Sequence, residues 1–413
     1  MLTHEQDQIL KDVQPGKPMH KYWKQFWIPA LRSEALIAGG APKKVELLCQ
    51  TYVAYRTDDG KVGFLNEACP HRGVSLAMGR NEHNTLKCMF HAWEFDTQGN
   101  CVRMPTEKDQ AICKRVKKTG YPVKEAGGIV WVYLGNEDAP KFPDYDFTHY
   151  TRENTRPRAS YIEANWMQNL ETLLDSAHIA LLHQNTTGDS SLPQAGLQLA
   201  NDCHTPIYSF ESMPYGLRSY SSRPRDDGDT YLRVTEYVSP GTAFIGTTEQ
   251  EAGFVIIVVP VNNSRTLQWY IYWDARQPID DNLPDFALLG TDLSDDNFAA
   301  SRQGKPFYGQ DREAMKNGSW SGIPGVIFED YAVAESIPVI DRTIEFLGSG
   351  DVAIVRMRRD LLSRVAESSG PDAALADVDY RSIRALAEVI PANINIQEFA
   401  ETKRAQRKAS FHK

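Results

Sequence analysis

Two short stretches decide the fold: "CPHRG" at residues 69–73 and "CMFHAW" at residues 88–93. Each supplies one cysteine and one histidine, which gives the pattern C-x-H, sixteen residues, C-x2-H. They lie among segments with strand-like composition. The segment "VELLCQTYVAYRTDDGKVGFLNE" is predicted to be a hairpin that turns at Asp58-Asp59-Gly60, and "HAWEFDTQGNCVRMP" a hairpin around Gln98-Gly99-Asn100. With the buried strand predicted in "GGIVWVYLG", residues 45–135 are predicted to form a small all-β unit.

The residue types in these two stretches point to a metal site. Cys69 and Cys88 supply soft thiolate ligands, and His71 and His91 supply imidazoles. Zinc sites usually combine two closely spaced cysteines with two closely spaced histidines, whereas here the two types alternate. This alternation favours a [2Fe–2S] cluster with both cysteines on one iron and both histidines on the other. A zinc site, and four buried residues without a metal, are the alternatives.

A third stretch, "LLDSAHIALLH" at residues 173–183, places one carboxylate and two histidines among leucines. Each residue of a helix advances by about 100°, so His178 and His183 would point about 140° apart on a regular helix. The apolar positions form the stripe of a buried helix face; they are Leu170, Leu173, Leu174, Ala177 and Leu181. From the residues alone, this stretch is compatible with a packed amphipathic helix and with a metal site.

The sequence beyond the all-β unit combines strand and helix patterns. Strands are predicted at "TYLRVTEYVSPG", "AGFVIIVVPV" and "SRTLQWYIYWDA", and helices at "FEDYAVAESI" and "DVAIVRMRRDLLSRVAES". The polar residues 279–313 are predicted to be a loop with helical pieces, and the basic end "KRAQRKASFHK" to be a solvated tail. Together these patterns predict an α+β part in which an antiparallel sheet carries helices.

Composition and charge argue against several classes of protein. The 413 residues are 41% hydrophobic and 24% charged, as is typical of globular chains with two or three domains. The net charge of −9 argues against a nucleic-acid partner. The aliphatic runs are too short to span a membrane and the polar start is unlike a signal peptide, so we expect a cytoplasmic protein. Its six cysteines are then expected to be reduced or to bind metal.

The Cys/His pattern resembles that of Rieske domains, and more closely those of aromatic-ring oxygenases than those of respiratory complexes. Respiratory Rieske proteins carry a further cysteine shortly after each histidine, whereas Val74 and Glu94 occupy those neighbourhoods here. "YWKQFWIPA" and "GYPVKEAGGIVWVYLG" are similar to the two ends of such a domain. The resemblance implies a Rieske domain over residues 25–145 with a cluster potential near the low end of the Rieske range, roughly −150 mV. Its [2Fe–2S] ligands would be Cys69, His71, Cys88 and His91.

Residues 165–183, "NWMQNLETLLDSAHIALLH", resemble the mononuclear-iron motif of the same oxygenases. The shared pattern is D-x2-H-x4-H, preceded by Asn-Trp and a Glu. The resemblance implies a distorted helix on which His178 and His183 both bind one Fe(II) in spite of their spacing. It also implies that Asp175 is a bridge that hydrogen-bonds a ligand histidine and, across a subunit boundary, the cluster histidine His91.

A third iron ligand is expected far downstream, because such sites use two histidines and one carboxylate and leave positions open for O₂ and substrate. "VIFEDYAVAESIPVIDRTIEFLG" resembles the C-terminal segment that supplies this carboxylate. Asp330 is the predicted ligand, and Glu329, Glu335 and Asp341 are the alternatives. Each of these acids could instead be an exposed residue of a helix.

The resemblance extends over nearly the whole chain and is strongest to the phthalate-dioxygenase branch. It implies an α+β architecture, with the Rieske domain followed by a catalytic domain over residues 146–413. That domain would be of the helix-grip type, an antiparallel sheet covered by helices. Residues 1–24 would pack against it as an arm or helix.

This branch implies the terminal oxygenase, or alpha subunit, of a two-component system. It would use O₂ and NADH-derived electrons to dihydroxylate an aromatic carboxylate such as phthalate or a substituted benzoate. An O-demethylating monooxygenase of methoxylated aromatic acids is the alternative, and a soluble Rieske electron carrier is a distant one. The chain has no Gly-rich nucleotide motif after a strand, so a separate reductase with FMN and a plant-type [2Fe–2S] centre is expected. The resemblance also implies a homo-oligomer, a trimer or stacked trimers.

An aromatic acid needs a cation or a hydroxyl to hold its carboxylate, and arginine offers the best bidentate geometry. Arg218 in "YGLRSYSSRP", Arg233 in "YLRVTEY" and Ser176 next to the proposed bridge are the candidates. The arginines could equally form structural salt bridges, and the serine could bond to backbone.

Overall fold

The computed structural model describes residues 2–185, 197–247, 252–279, 305–337 and 341–410. Its first part contains ten strands: β1 (Trp27–Arg32), β2 (Lys43–Leu47), β3 (Gln50–Arg56), β4 (Val62–Asn66), β5 (Arg80–Glu82), β6 (Thr85–Lys87), β7 (Glu94–Phe95), β8 (Cys101–Arg103), β9 (Val123–Ala126) and β10 (Ile129–Tyr133). They form three sheets, ordered β1-β10-β9, β2-β3-β4 and β5-β6-β7-β8. The small all-β unit predicted from the sequence is confirmed.

Both predicted hairpin turns are present. The turn at Asp58-Asp59-Gly60 joins β3 to β4, and the turn around Gln98-Gly99-Asn100 joins β7 to β8. Glycine is required in the second turn, because Gly99 has φ +81° and a Cβ there would lie 2.2 Å from the carbonyl oxygen of Lys118. The hairpin therefore packs directly on the chain at Lys118.

A separate apolar core fills the unit that carries the Cys/His loops. It surrounds Cys69 and Cys88 with buried side chains from several strands; these include Val53, Tyr55, Leu65, Leu76, Leu86, Trp93 and Phe95. The two cysteines therefore lie in an apolar interior, where an ionised thiolate is unfavourable without a positive partner.

A large antiparallel sheet forms the second part of the fold. Its strands are β11 (Thr155–Ile162), β12 (Ile207–Met213), β13 (Gly216–Pro224), β14 (Asp229–Val238), β15 (Thr242–Ile245), β16 (Ala252–Asn262), β17 (Arg265–Asp274) and β18 (Leu386–Pro391). The order is β11-β17-β16-β15-β14-β13-β12, and β18 pairs with the start of β14. The three strands predicted here are confirmed as β14, β16 and β17.

Helices cover this sheet and precede it. The first three are α1 (His4–Lys11), α2 (Pro18–Trp23) and α3 (Trp166–Leu174), and later helices span Arg312–Lys316, Val326–Glu335, Val352–Glu367 and Ile396–Ser410. Helix α3 packs on β15 and β16. Of the predicted apolar stripe, Leu170 and Leu174 are buried, whereas Leu181 is 38% exposed because α3 has already ended. None of the described helices is long and apolar enough to cross a bilayer.

The described parts confirm the α+β class, an all-β unit followed by an antiparallel sheet with helices. The boundary between residues 145 and 146 stays a prediction. Most of the loop predicted at 279–313 lies outside the described residues; from Lys305 onward it contains a short turn at Pro306–Gly309 and the start of a helix.

The solvated C-terminal tail was a wrong prediction for its first residues. Helix Ile396–Ser410 includes them, and Arg407 is buried against Asp146, with which it forms an ion pair. Asp146 also accepts a hydrogen bond from Trp273 Nε1 at 3.0 Å. A buried carboxylate pairs with Arg407, so this basic residue contributes to packing, whereas Lys408 next to it is exposed. Residues 411–413 lie outside the described part.

Candidate metal centres

The two Cys/His loops share the same backbone hydrogen bonds. In each loop the cysteine N–H donates to the carbonyl five residues later, and the N–H four residues later donates back to the cysteine carbonyl, all at 2.8–2.9 Å. These partners are Val74 and Gly73 in the first loop and Trp93 and Ala92 in the second. Gly73 and Ala92 both have positive φ, +75° and +56°. Because alanine is disfavoured in that conformation, the second loop is held in it by its surroundings.

The loops place the cysteines inside and the histidines toward solvent. Cys69 and Cys88 are each only 3% exposed, whereas His71 is exposed and His91 half-buried. The two imidazole rings lie 4.6 Å apart between centroids, and His71 stacks on Trp93 at 4.4 Å. One thiol and one imidazole from each loop thus converge on one region.

The chemistry of these four side chains fits a [2Fe–2S] cluster. Burial and the neighbouring Cys88 raise the pKa of the Cys69 thiol to about 11, so a bound metal is needed to hold the thiolate at neutral pH. Nδ1 of His91 is buried and has no hydrogen-bond partner within the described residues. A metal at this position would satisfy both the thiolate and the imidazole nitrogen.

Helix α3 ends at Asp175, and this break brings the two downstream histidines together. Asp175 has extended backbone angles (φ −79°, ψ 101°), and its Oδ1 accepts a hydrogen bond of 2.7 Å from the N–H of Ala177. The chain continues as a single 3₁₀ turn over His178–Ala180. The rings of His178 and His183 therefore face each other with centroids 5.0 Å apart, although a regular helix would separate them.

Asp330 completes a cluster of ligand-type atoms with these histidines. It lies in helix Val326–Glu335, and its Oδ1 is 3.1 Å from Nε2 of His183 and 3.7 Å from Nε2 of His178. The three ligand atoms lie within 4.8 Å of one another. Asp330 Oδ1 is buried and accepts no hydrogen bond from the part of the chain that the structure describes, so the site fits a cation. This donor set, two imidazoles and one carboxylate, is that of non-haem Fe(II) sites with open positions.

The other acids considered for this role lie elsewhere. Glu335 accepts hydrogen bonds from the backbone N–H of Glu163 and from Tyr308, and Asp341 accepts them from Thr343. Glu329 faces the opposite side of His183 from Asp330. The structure thus brings Asp330 to the histidines, and its role as an iron ligand remains a prediction that this geometry supports.

Glu329 holds the outer nitrogen of His183. Its Oε2 lies 2.7 Å from His183 Nδ1, and its other oxygen accepts a hydrogen bond from Ser321. Both His183 and Glu329 have side chains that are only 2% exposed. Burial lowers the pKa of His183, but the carboxylates of Asp330 and Glu329 outweigh burial and raise it to about 9. Such a carboxylate–histidine pair fixes the ring so that Nε2 points at the metal position.

Asp175 lies on the outer side of the second histidine. Its Oδ2 is 3.4 Å from Nδ1 of His178, an electrostatic contact that is too long for a good hydrogen bond. Nδ1 of His178 is buried and otherwise unpartnered. Within the described chain, Asp175 makes no hydrogen bond or ion pair with His91.

A cavity adjoins the three ligand-type residues. Its apolar wall is formed by Leu173, Ile179, Ile245, Phe254, Ile256, Val326 and Ile327. Its polar wall includes Arg233, Gln268 and Tyr270. Arg233 is 4% exposed. Among the described residues its Nε has no hydrogen-bond partner, and its Nη1 lies 3.4 Å from the hydroxyl of Tyr231. Gln268 Oε1 is also buried and unpartnered.

Two of the three predicted substrate residues do not line this cavity. Arg218 is buried among carboxylates, with Nε 2.7 Å from Glu236 and Nη1 near Glu211 and Glu401. Ser176 bonds instead to Ser221 and Arg223. The prediction that Arg218 and Ser176 contact the substrate is therefore corrected, because both side chains are bonded to other residues of the protein.

Sequence reasoning missed Arg223. Strand side chains alternate between faces, so Arg218 and Arg223 of β13 point to opposite sides of the sheet. Arg233 pairs in register with Ser221, which puts Arg223 and Arg233 on the same face. The alternation of side chains could be read from the sequence. Deciding which of the two faces carries the cavity required the strand register.

Comparison with known proteins identifies the family of this chain. Residues 26–119 match the family model for the Rieske [2Fe-2S] domain, and residues 132–410 match that for the LigXa C-terminal domain like family. The chain belongs to the Rieske oxygenase family.

The relatives of this Rieske oxygenase include catabolic oxygenase subunits. It is 34% identical to the phthalate 4,5-dioxygenase oxygenase subunit of Pseudomonas putida, over 91% of this chain and 89% of that one. It is 30% identical to the 3-chlorobenzoate-3,4-dioxygenase oxygenase subunit of Comamonas testosteroni, over 89% and 90%. The solved structure of Pseudomonas putida CBB5 NdmA with caffeine shares the fold, with a TM-score of 0.63, 19% identity and coverage of 90% and 98%.

We predict that Glu329→Gln weakens Fe(II) binding at His178, His183 and Asp330, because the neutral amide holds His183 Nδ1–H less well. Loss of such an outer partner typically lowers metal affinity or activity about 10- to 100-fold. Iron retention against a chelator is the measurement, with acid-labile sulfide as the internal standard for the cluster.

Glu313→Gln is the matched control, because Glu313 is exposed and pairs only with Lys316. Equal iron retention in wild type, Glu329→Gln and Glu313→Gln would contradict the positioning role of Glu329.

Proposed function

We propose that this Rieske oxygenase dihydroxylates the ring of an aromatic carboxylate, in the manner that the names of its dioxygenase relatives describe. Cys69, His71, Cys88 and His91 would hold the cluster. When bound, the cluster supplies one-electron storage and the Fe(II) supplies oxygen activation. The chain's own side chains bind and orient the substrate.

The buried cation at the cavity carries this proposal. Arg233 has no carboxylate partner among the described residues, although burying an unpaired guanidinium is costly. A substrate carboxylate would complete the missing pair with bidentate geometry. The apolar part of the cavity lining, which includes Phe254 and Ile256 on the same face of the sheet as Arg233, suits the face of an aromatic ring.

Arg223 adds a second positive charge on the same face of the sheet. It is fully buried, bonds to Ser176 and to the carbonyl of Cys203, and likewise forms no ion pair with a described carboxylate. Burial and the repulsion from Arg233 lower the pKa of Arg223 to about 10. An anionic substrate would relieve that repulsion, which a neutral aromatic compound would not do.

Asp175 is proposed to connect two subunits. Asp175 contacts His178 within its own subunit. Its second partner would be the cluster histidine His91 of a neighbouring copy of the chain. Exposed apolar side chains occur where such a contact would form. Met89 and Phe90 lie beside the cluster histidines. Ile344 and Phe346 lie shortly before Gly350, and Gly350 packs on Ala177 close to Asp175. We therefore propose a homo-oligomer, a trimer or stacked trimers.

Electrons are proposed to come from NADH through a separate reductase with FMN and a plant-type [2Fe–2S] centre. The exposure of His71 offers such a partner access to the cluster. We expect the protein to work in the cytoplasm, where NADH is available.

The function is tested by product analysis under ¹⁸O₂. The holoenzyme is mixed with a surrogate reductase, NADH and a panel of phthalates, benzoates and methoxybenzoates. Two heavy oxygen atoms on one ring are expected. One heavy atom with release of formaldehyde would replace the proposal by O-demethylation, and absence of product from every acid would refute the aromatic-carboxylate assignment.

Arg233→Met should raise KM for the aromatic acid and lower kcat/KM about 100-fold, as for loss of one partner of a buried charge pair. The exposed Arg359, changed to Met, is the matched control. Steady-state kinetics with the acid and with its uncharged methyl ester distinguish loss of a carboxylate contact from general damage to the protein. A carboxylate contact predicts a much smaller effect on the ester, whereas an equal loss on both would indicate general damage.

Asp175→Asn should leave both metals bound and reduce turnover by orders of magnitude, because the amide cannot accept an N–H from two imidazoles as a carboxylate does. Iron and sulfide content verify the metals. Rapid mixing of the pre-reduced protein with O₂ and substrate measures cluster reoxidation directly. If the cluster of Asp175→Asn is reoxidised at the wild-type rate, the proposed bridging role of Asp175 is contradicted.

A further inference from the structure

A buried lysine lies behind the cysteine side of the cluster site. Lys118 is 5% exposed, in a chain whose other lysines are mostly at the surface. Its backbone N–H donates to the carbonyl of Gly99 at 2.8 Å, and Gly99 in turn packs on the Lys118 carbonyl. The β7–β8 hairpin therefore fixes the backbone at Lys118, and the side chain runs inward from a rigid base.

The ammonium group of Lys118 reaches the chain immediately before the first cluster cysteine. Nζ donates a hydrogen bond to the carbonyl of Ala68, the residue before Cys69. No carboxylate among the described residues forms an ion pair with it. The nearest negative groups that act on it are Cys69 and Glu67, two residues apart in the chain. Lys118 is therefore a buried cation bonded to the residue that precedes a predicted cluster ligand.

Two opposing effects act on the Lys118 ammonium. Desolvation lowers the pKa of Lys118 to about 8, and Cys69 and Glu67 oppose that effect. A structural lysine would normally extend its amine to solvent or pair with a carboxylate, and Lys118 does neither.

We propose that the Lys118 ammonium raises the reduction potential of the cluster by stabilising its reduced form. This inference rests on the proposed cluster ligands and is independent of the substrate. Two thiolates and two neutral imidazoles around the oxidised [2Fe–2S] core give no net charge, and one electron from the reductase makes the reduced form negative by one unit. A fixed cation in a low-dielectric interior favours that second state, and no proton needs to move.

Other cations nearby have weaker effects because water screens them. Lys117 is the adjacent residue but is exposed, and Lys87 is paired with Glu82 and Glu94. Exposed charges of this kind contribute little across a surface. Substituting Lys118 or Lys117 therefore removes the same charge at neighbouring positions. The charge is buried at Lys118 and solvated at Lys117, so Lys117 serves as the matched control.

The test is a redox titration of full-length holoprotein, followed by the visible circular dichroism of the cluster. In Lys118→Met, the ratio of reduced to oxidised cluster at the wild-type midpoint should fall about tenfold, which equals ~59 mV for one electron. Lys118→Arg should stay within about twofold of wild type, and Lys117→Met should not differ from it. An unshifted Lys118→Met with a full cluster overturns the proposal, as does an equal shift in Lys117→Met.

A second variant decides the matter if Lys118→Met fails to assemble the cluster. Lys118→Gln keeps a hydrogen-bond donor for the carbonyl of Ala68 but carries no charge, so the cluster potential should fall as expected for Lys118→Met. An unchanged potential in Lys118→Gln with a full cluster overturns the proposal. None of these titrations requires substrate or turnover, so failure of the proposed dioxygenase reaction would leave their result unaffected.

Discussion

The break at Asp175, directly after helix α3, is the local constraint on which the candidate iron site depends. Its carboxylate accepts the N–H of Ala177, and the extended backbone at Asp175 turns the chain out of the helix. Without that break, His178 and His183 would diverge. The helix itself is fixed one turn earlier, because buried Glu171 accepts hydrogen bonds of 2.8 Å from Arg342 and Arg358. The histidine geometry therefore rests on an anchored helix that stops at a defined residue.

Buried charges fall into two groups in this protein. Arg218, Arg342 and Arg407 are each paired with buried or half-buried carboxylates, and these pairs tie distant segments together. Arg233 and Lys118 have no such partner in the described structure, and each lies at one of the two metal centres. Folding alone gives no reason to retain an unpaired interior cation. A substrate carboxylate that binds at Arg233, and an electron that enters the cluster near Lys118, would each provide a reason to keep such a cation.

At the candidate iron site, the outer nitrogen of each predicted ligand histidine faces a carboxylate. Glu329 contacts His183 closely, whereas Asp175 contacts His178 at a longer distance and keeps capacity for a second partner. The difference fits their separate roles, since one pair is closed within the subunit and the other is proposed to be completed by a neighbouring copy. The exposure of the cluster histidines, and of the apolar residues next to them, is consistent with that arrangement.

The sequence by itself determined the residue types and spacing of both centres, the hairpin turns and the α+β class, because these are properties of local pattern. Its resemblance to a known family supplied Asp330, although local pattern could not separate it from Glu329. Only tertiary structure put Asp330 toward both histidines and Glu329 behind one of them. Tertiary structure also placed Arg233 at the cavity and Arg218 among carboxylates, because the face that a strand residue occupies depends on strand register and on what covers each side of the sheet. The buried environments of Lys118 and Arg407 were equally invisible, since burial is decided by packing between segments far apart in the chain.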